Sequence, residues 1–171
     1  MKAALFIAQG FGVGRIPFAP GTFGSVLGVV WFALLLASRR VWVLFAGTLA
    51  GIAISVWLCG AAERRLGQKD PGSVVLDEIS AMPICFYSWV GISLWRTGVL
   101  PGPEQLVSSG NWLTTMGVFA AFRFFDIVKP SPIRQSQALP GGWGVTLDDV
   151  LAAIYVSALV LLVYAGRLIW K

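Results

Sequence analysis

Five acids stand at the edges of apolar runs. Asp77-Glu78 opens one run, Asp126 closes another, and Asp148-Asp149 opens the last. Helix capping accounts for one acid at a helix start, where a carboxylate accepts from free N–H groups and faces the positive end of the dipole. Capping explains neither two starts that each carry a pair nor Asp126 at a C-terminal end, where the dipole opposes an anion. Carboxylates at the rim of a hydrocarbon layer are costly, so their clustering points to function. With no histidine and no thiolate site, these hard oxygen ligands favour a divalent cation, Mg²⁺ ahead of Zn²⁺.

The basic residues complete the same picture. Arg123, Asp126 and Lys129 recur every third residue, so a helix continuing to Pro130 sets them along one side. A self-neutralising salt bridge is one reading of that row. The other is phosphoryl chemistry, in which catalysis is mostly positioning and charge neutralisation beside a metal. Arg134 is a further candidate. Ahead of the first apolar run, Pro20-Gly21 makes a turn and Thr22 is the expected N-cap. The N–H groups near Thr22 and Ser25 then offer an anion site, or else simply begin a tightly packed helix. Gly141-Gly142-Trp143-Gly144 is either a close backbone approach to a ligand or a flexible loop.

The elements that must position these residues lie in a membrane. Of the 171 residues, 57% are hydrophobic and 12% charged, with mean hydropathy +0.77. Such a chain has too little polar surface to cover a soluble core. A spanning helix needs about 20 mostly apolar residues. Thr22–Ala37 and Val41–Ala62 qualify, Ile79–Trp95 contains Pro83, Trp112–Phe125 is short enough to be tilted or re-entrant, and Val150–Ile169 is the clearest spanner. The stretch from Arg123 to Asp149 carries Pro130, Pro132, Pro140 and Gly141-Gly142, which are expected to break any regular helix. The fold class is therefore all-α: a single polytopic helical bundle over residues 1–171, with about five transmembrane or re-entrant helices. The N-terminus reads as mature sequence.

If all five runs cross, eight basic residues fall on the side of the N-terminus and five on the other. The positive-inside rule then puts the N-terminus in the cytoplasm. Six of the eight acids lie on that face, Glu63 borders it, and only Glu104 is opposite. Acids gathered at one surface predict a site there.

Composition also excludes. Without histidine there is no Ser-His-Asp triad, phosphohistidine or His-ligated zinc. Gly10, Gly12 and Gly14 have no strand–turn–helix context for a nucleotide loop. Cys59 and Arg65 have the Cys-x5-Arg spacing of cysteine phosphatases, but Cys59 sits in an apolar helix rather than in an accessible, electropositive loop. Cys85 also lies in an apolar run, so neither cysteine signals a disulfide framework.

Three segments, read together, resemble the phosphatidylglycerophosphatase A family: Ala19-Pro-Gly-Thr-Phe-Gly-Ser25, Val75-Leu-Asp-Glu78, and Phe122-Arg-Phe-Phe-Asp-Ile-Val-Lys-Pro-Ser-Pro-Ile-Arg134 followed by Gly141-Gly-Trp-Gly-Val-Thr-Leu-Asp-Asp149. The likeness covers roughly residues 10–153. It implies a Mg²⁺-dependent membrane phosphatase that converts phosphatidylglycerophosphate into phosphatidylglycerol and inorganic phosphate, with no nucleic-acid partner. Catalytic and metal-binding roles pass to Asp77, Glu78, Asp126, Asp148 and Asp149. Basic roles pass to Arg123, Lys129 and Arg134, with Thr22 and Ser25 also expected at the substrate. The implied location is the bacterial cytoplasmic membrane, multi-pass, with the site at its cytoplasmic face. Three departures stand out: Ala81 and Ala153 replace glycines of the family pattern, and Gln135–Leu139 lacks an acid that relatives often carry.

Asp126 or Asp149 is the expected base, and water attack and an aspartyl-phosphate both need these acids. The rival class is a small cation-coupled transporter. Transporters place acids near the midplane, often at broken helices, whereas here the acids bracket the runs.

Overall fold

The computed structural model describes residues 2–169. In chain order it contains α1 (Lys2–Ala8), a 3₁₀ segment (Gly10–Arg15), α2 (Pro20–Ala37), α3 (Val41–Leu66), α4 (Leu76–Cys85) and α5 (Tyr87–Thr97). A 3₁₀ turn (Pro103–Leu106), α6 (Trp112–Val128), α7 (Ile133–Ser136) and α8 (Gly142–Ile169) complete it. No strand occurs among the described residues. Three helices, α2, α3 and α8, are long and apolar enough to cross a membrane.

The expected third span, Ile79–Trp95, is not one helix. It breaks at Phe86, between α4 and α5. Pro83 has no N–H to give and its ring crowds the preceding turn, and the Phe86 N–H tightens onto the Pro83 carbonyl at 3.1 Å. Phe86 is buried and stacks on Phe32, with centroids 4.6 Å apart, so packing fixes the break.

The last helix differs in the opposite sense. It begins at Gly142, eight residues before the apolar run, so the break ends at Gly141 and the Gly142–Asp149 stretch is helical. Gly142 starts it against α3, where a Cβ would run into the Val56 carbonyl and lie 2.7 Å from the Gly60 nitrogen. The glycine is there for close helix approach, as in membrane bundles where small residues line the contacts. From Asp149 to Ile169 the helix rises about 30 Å, one hydrocarbon thickness. The acids therefore sit at the edge of the apolar layer although they lie two turns inside the helix.

Ion pairs at the two ends of the bundle show how its elements run. Arg39 Nη2 lies 2.7 Å from Glu104 Oε1, joining the α2–α3 turn to the α5–α6 loop. Arg123 and Lys129, at the end of α6, pair with Glu78 and Asp70 around the start of α4. Residues 76–97 thus run the length of the bundle in two pieces, and α6 returns along it. Exposed Trp42, Trp95 and Trp112 collect at the Arg39 end, as aromatic residues do at a membrane interface. Inside the bundle α4 packs against α2, α3 and α8, with Phe32, Met82, Phe86, Phe122 and Val156 fully buried. Gly28 lets α2 approach α4, since a Cβ there would stand 2.6 Å from that of Met82.

Candidate active site

The acid pairs are built alike. The first carboxylate of each pair accepts from the backbone N–H of the second: Glu78 N to Asp77 Oδ1 at 3.0 Å, and Asp149 N to Asp148 Oδ1 at 3.1 Å. This frees the second acid's side chain for the interior. All four are buried, at 4%, 8%, 3% and 3% exposure for Asp77, Glu78, Asp148 and Asp149. Glu78 lies against the start of α2, where Gly21 and Gly24 face it. A Cβ on either glycine would collide with the Glu78 carboxylate.

Arg123, one turn before the end of α6, gathers three elements. Its Nη1 donates to Glu78 Oε1 at 2.9 Å and to Ser25 Oγ at 3.4 Å, and lies 2.7 Å from Asp126 Oδ2. Ser25 is fully buried and donates in turn to the Gly21 carbonyl at 2.9 Å. Lys129 forms a second node. Its Nζ lies 2.6 Å from Asp148 Oδ2, 3.7 Å from Asp70 Oδ2 and 4.0 Å from Asp126 Oδ1. Partial burial works against the Lys129 charge. The Asp148 hydrogen bond and the charges of Asp148, Asp70 and Asp126 outweigh it, holding the ammonium above its usual range. Gln137 closes this side by donating to both Asp148 Oδ2 and Asp70 Oδ2, at 3.0 and 3.1 Å.

Asp126 joins the nodes, with one oxygen near Arg123 and the other near Lys129. Asp149 lies within electrostatic reach of Asp126, Asp77, Asp148 and Glu78. Six carboxyl groups, Asp70 included, therefore gather around two cations. Three of its buried atoms have no hydrogen-bond partner: Glu78 Oε2, Asp149 Oδ1 and Arg123 Nε. Burying such groups unpaired costs about 1–3 kcal/mol each, more when charged. Two orphaned acceptors beside an orphaned donor are what a cation and an anion together would satisfy. Among the described residues, no three acids or thiols are grouped to hold a metal ion unaided.

The sequence profile of Phosphatidylglycerophosphatase A matches residues 6–164, a range that contains every residue of this cluster. The chain belongs to the phosphatidylglycerophosphatase A family. It is 37% identical to a Phosphatidylglycerophosphatase A of Haemophilus influenzae over 90% of this chain and 84% of the relative. A second Phosphatidylglycerophosphatase A, from Escherichia coli, is 30% identical over 86% of this chain and 76% of the relative. A Bacteroides thetaiotaomicron protein named as a candidate phosphatidylinositol-3-phosphatase is 34% identical, over 91% and 90% of the two chains. No solved structure matches.

On this phosphatidylglycerophosphatase A scaffold the residues singled out in the sequence fall into two groups. Asp77, Glu78, Asp126, Asp148, Asp149, Arg123, Lys129 and Ser25 come together. Thr22 and Arg134 do not join them through any hydrogen bond or ion pair, and Arg134 is exposed on α7. Thr22 is not the N-cap. Ala19, in the left-handed region, caps α2, Pro20 is its first residue, and the Thr22 N–H already bonds the Ala19 carbonyl at 2.9 Å. Cys59 is a buried free thiol on α3, 3.4 Å from Ser55 Oγ and within electrostatic reach of Asp77, and it sits in a helix rather than in an accessible loop. Sequence reasoning missed Gln137 and Asp70. The segment Gln135–Leu139 drew notice for a missing acid, and the neutral Gln137 instead bridges two acids already present.

Proposed function

We propose that this protein is a Mg²⁺-dependent phosphatase of the bacterial inner membrane that hydrolyses phosphatidylglycerophosphate to phosphatidylglycerol and inorganic phosphate. The observation that carries the reading is the trio of orphaned buried atoms in one cluster. Arg123 Nε is a free donor for a phosphate oxygen, and Glu78 Oε2 and Asp149 Oδ1 are free acceptors for a cation. Mg²⁺ is typically held by one or two carboxylates together with substrate phosphates rather than by an all-protein cage. Glu78 and Asp149 fit that mode, with Asp77, Asp126 and Asp148 enclosing them. The ion would neutralise charge on the phosphoryl group and activate the attacking water.

The chain's own groups supply the rest. Arg123, anchored by Glu78, Asp126 and Ser25, is held in a fixed orientation toward the phosphomonoester, so little reorganisation is needed as charge redistributes. Lys129 neutralises Asp148 and adds positive potential beside Asp126. Asp126 or Asp149 takes the proton of the attacking water. The P–O bond to the glycerol carbon's oxygen breaks, and the same carboxyl returns its proton to that leaving oxygen, giving the free hydroxyl of phosphatidylglycerol. Exposed Arg64, Arg65, Lys69 and Arg134 lie at this face, and their field draws anionic head groups toward the site. The excess of basic residues on this side supports a cytoplasmic active site.

The transporter reading is less well supported. The broken helix α4–α5 is interrupted at Phe86 among apolar partners, while the acids stand near the ends of their helices.

The test is phosphate release from phosphatidylglycerophosphate by the purified full chain, with Mg²⁺ and with EDTA, beside Asp149→Asn. Metal-dependent release that is lost in the variant supports the assignment. A folded, lipid-supplied protein that releases no phosphate overturns it.

A further inference from the structure

At the end of the bundle away from the acids, α5, α6 and α8 border a half-open cleft of about 640 Å³. That is the size of a ligand cleft, which runs from roughly 300 to 1,000 Å³. Its walls grade from apolar to cationic. Trp89, Val118 and Val156 line the deep end, and Asn111, Arg96 and Arg167 line the mouth. The rise along α8 from Val156 to Arg167 is about 16 Å, close to the depth of one leaflet in a hydrocarbon core of about 30 Å. A Cβ at Gly117 would meet nothing within 4 Å, so this helix leaves the space open.

Charge at the mouth identifies the occupant. Neither Arg96 nor Arg167 pairs with a carboxylate among the described residues, and Glu104, the acid at that face, is held by Arg39. Two cations above an apolar slot one leaflet deep match an acidic head group with a hydrocarbon tail. We propose that this cavity seats one anionic glycerophospholipid from the leaflet opposite the acidic cluster. Its phosphate is held at Arg96 and Arg167, and an acyl chain runs inward past Gly117. The site is separate from the phosphatase centre, so it does not depend on the reaction assigned there.

Native mass spectrometry of the full chain, given equal dioleoyl-phosphatidylglycerol and dioleoyl-phosphatidylcholine, tests this. The wild type should retain phosphatidylglycerol over phosphatidylcholine. Arg96→Gln/Arg167→Gln should cut that preference at least tenfold, and Gly117→Leu should reduce retention of both lipids by filling the slot. Asp149→Asn should retain the wild-type preference. Equal retention of the two lipids by the wild type overturns the proposal. So does a double arginine variant that keeps its preference, or a preference abolished by Asp149→Asn instead. Matching melting curves for the variants and wild type establish that each is folded.

Discussion

Arg123 Nη1 lies 2.9 Å from Glu78 Oε1, and this contact joins the end of α6 to the first turn of α4. Both side chains are mostly buried, and the same nitrogen also reaches Ser25 and Asp126. A single guanidinium thus sets the relative position of α2, α4 and α6 while keeping its Nε free.

Lysine cannot reproduce that arrangement, because an ammonium is a compact point charge without a planar fork. Arg123→Lys should lower kcat about 10²-fold, the loss seen when a positioned charge-stabilising donor is removed. KM should change less. Steady-state phosphate release across substrate concentrations separates the two, and an unchanged kcat would place Arg123 outside the chemistry.

The glycines of α2 give a prediction about fit. A Cβ on Gly24 would strike the Glu78 carboxylate, a group that cannot yield without losing Arg123. Gly24→Ala should destabilise by about 1–3 kcal/mol, the usual range for overpacking, and should reduce activity as well. Gly117→Ala, with open space around it, should be neutral or stabilise by about 0.5–1 kcal/mol through helix propensity. Thermal unfolding in detergent compares the two.

The all-helical membrane class, the three long apolar helices and the acid cluster were legible in the sequence because they rest on composition and on carboxylates standing where apolar runs end. Asp126 was the most informative residue, since no capping argument places an acid at a helix C-terminus. Helix limits around the prolines and glycines were less legible. The expected break does fall at Gly141, which has positive φ, but the helix resumes at once from Gly142, where contact with Val56 and Gly60 on α3 leaves room only for glycine. Pro83 interrupts a run that hydropathy alone reads as continuous. Gln137 carried no signal, because its role depends on a tertiary approach to Asp70 and Asp148.

Lys129 and Gln137 share Asp148 Oδ2, and their substitutions should differ in kind. Lys129→Met leaves Asp148 buried without its cation, which costs about 3–5 kcal/mol when a buried pair loses one partner. Gln137→Ala removes a neutral donor and should cost about 1 kcal/mol. Lys129→Met/Asp148→Leu should recover much of the lost stability without recovering activity. Unfolding and phosphate release measured on the same samples check both halves of this expectation.

Crowding of carboxylates gives the last prediction. Glu78 and Asp149 are buried among like charges and each has an oxygen without a partner. Without a cation the cluster should oppose folding, so Asp149→Asn should stabilise the EDTA-treated protein by about 0.5–2 kcal/mol, as functional-site substitutions often do. Mg²⁺ should raise the melting temperature of the wild type by mass action. It should raise that of Asp149→Asn or Glu78→Gln much less. Melting curves with EDTA and with increasing Mg²⁺ measure both effects without any turnover. A wild type and variants that respond equally to Mg²⁺ would remove Glu78 and Asp149 as its ligands.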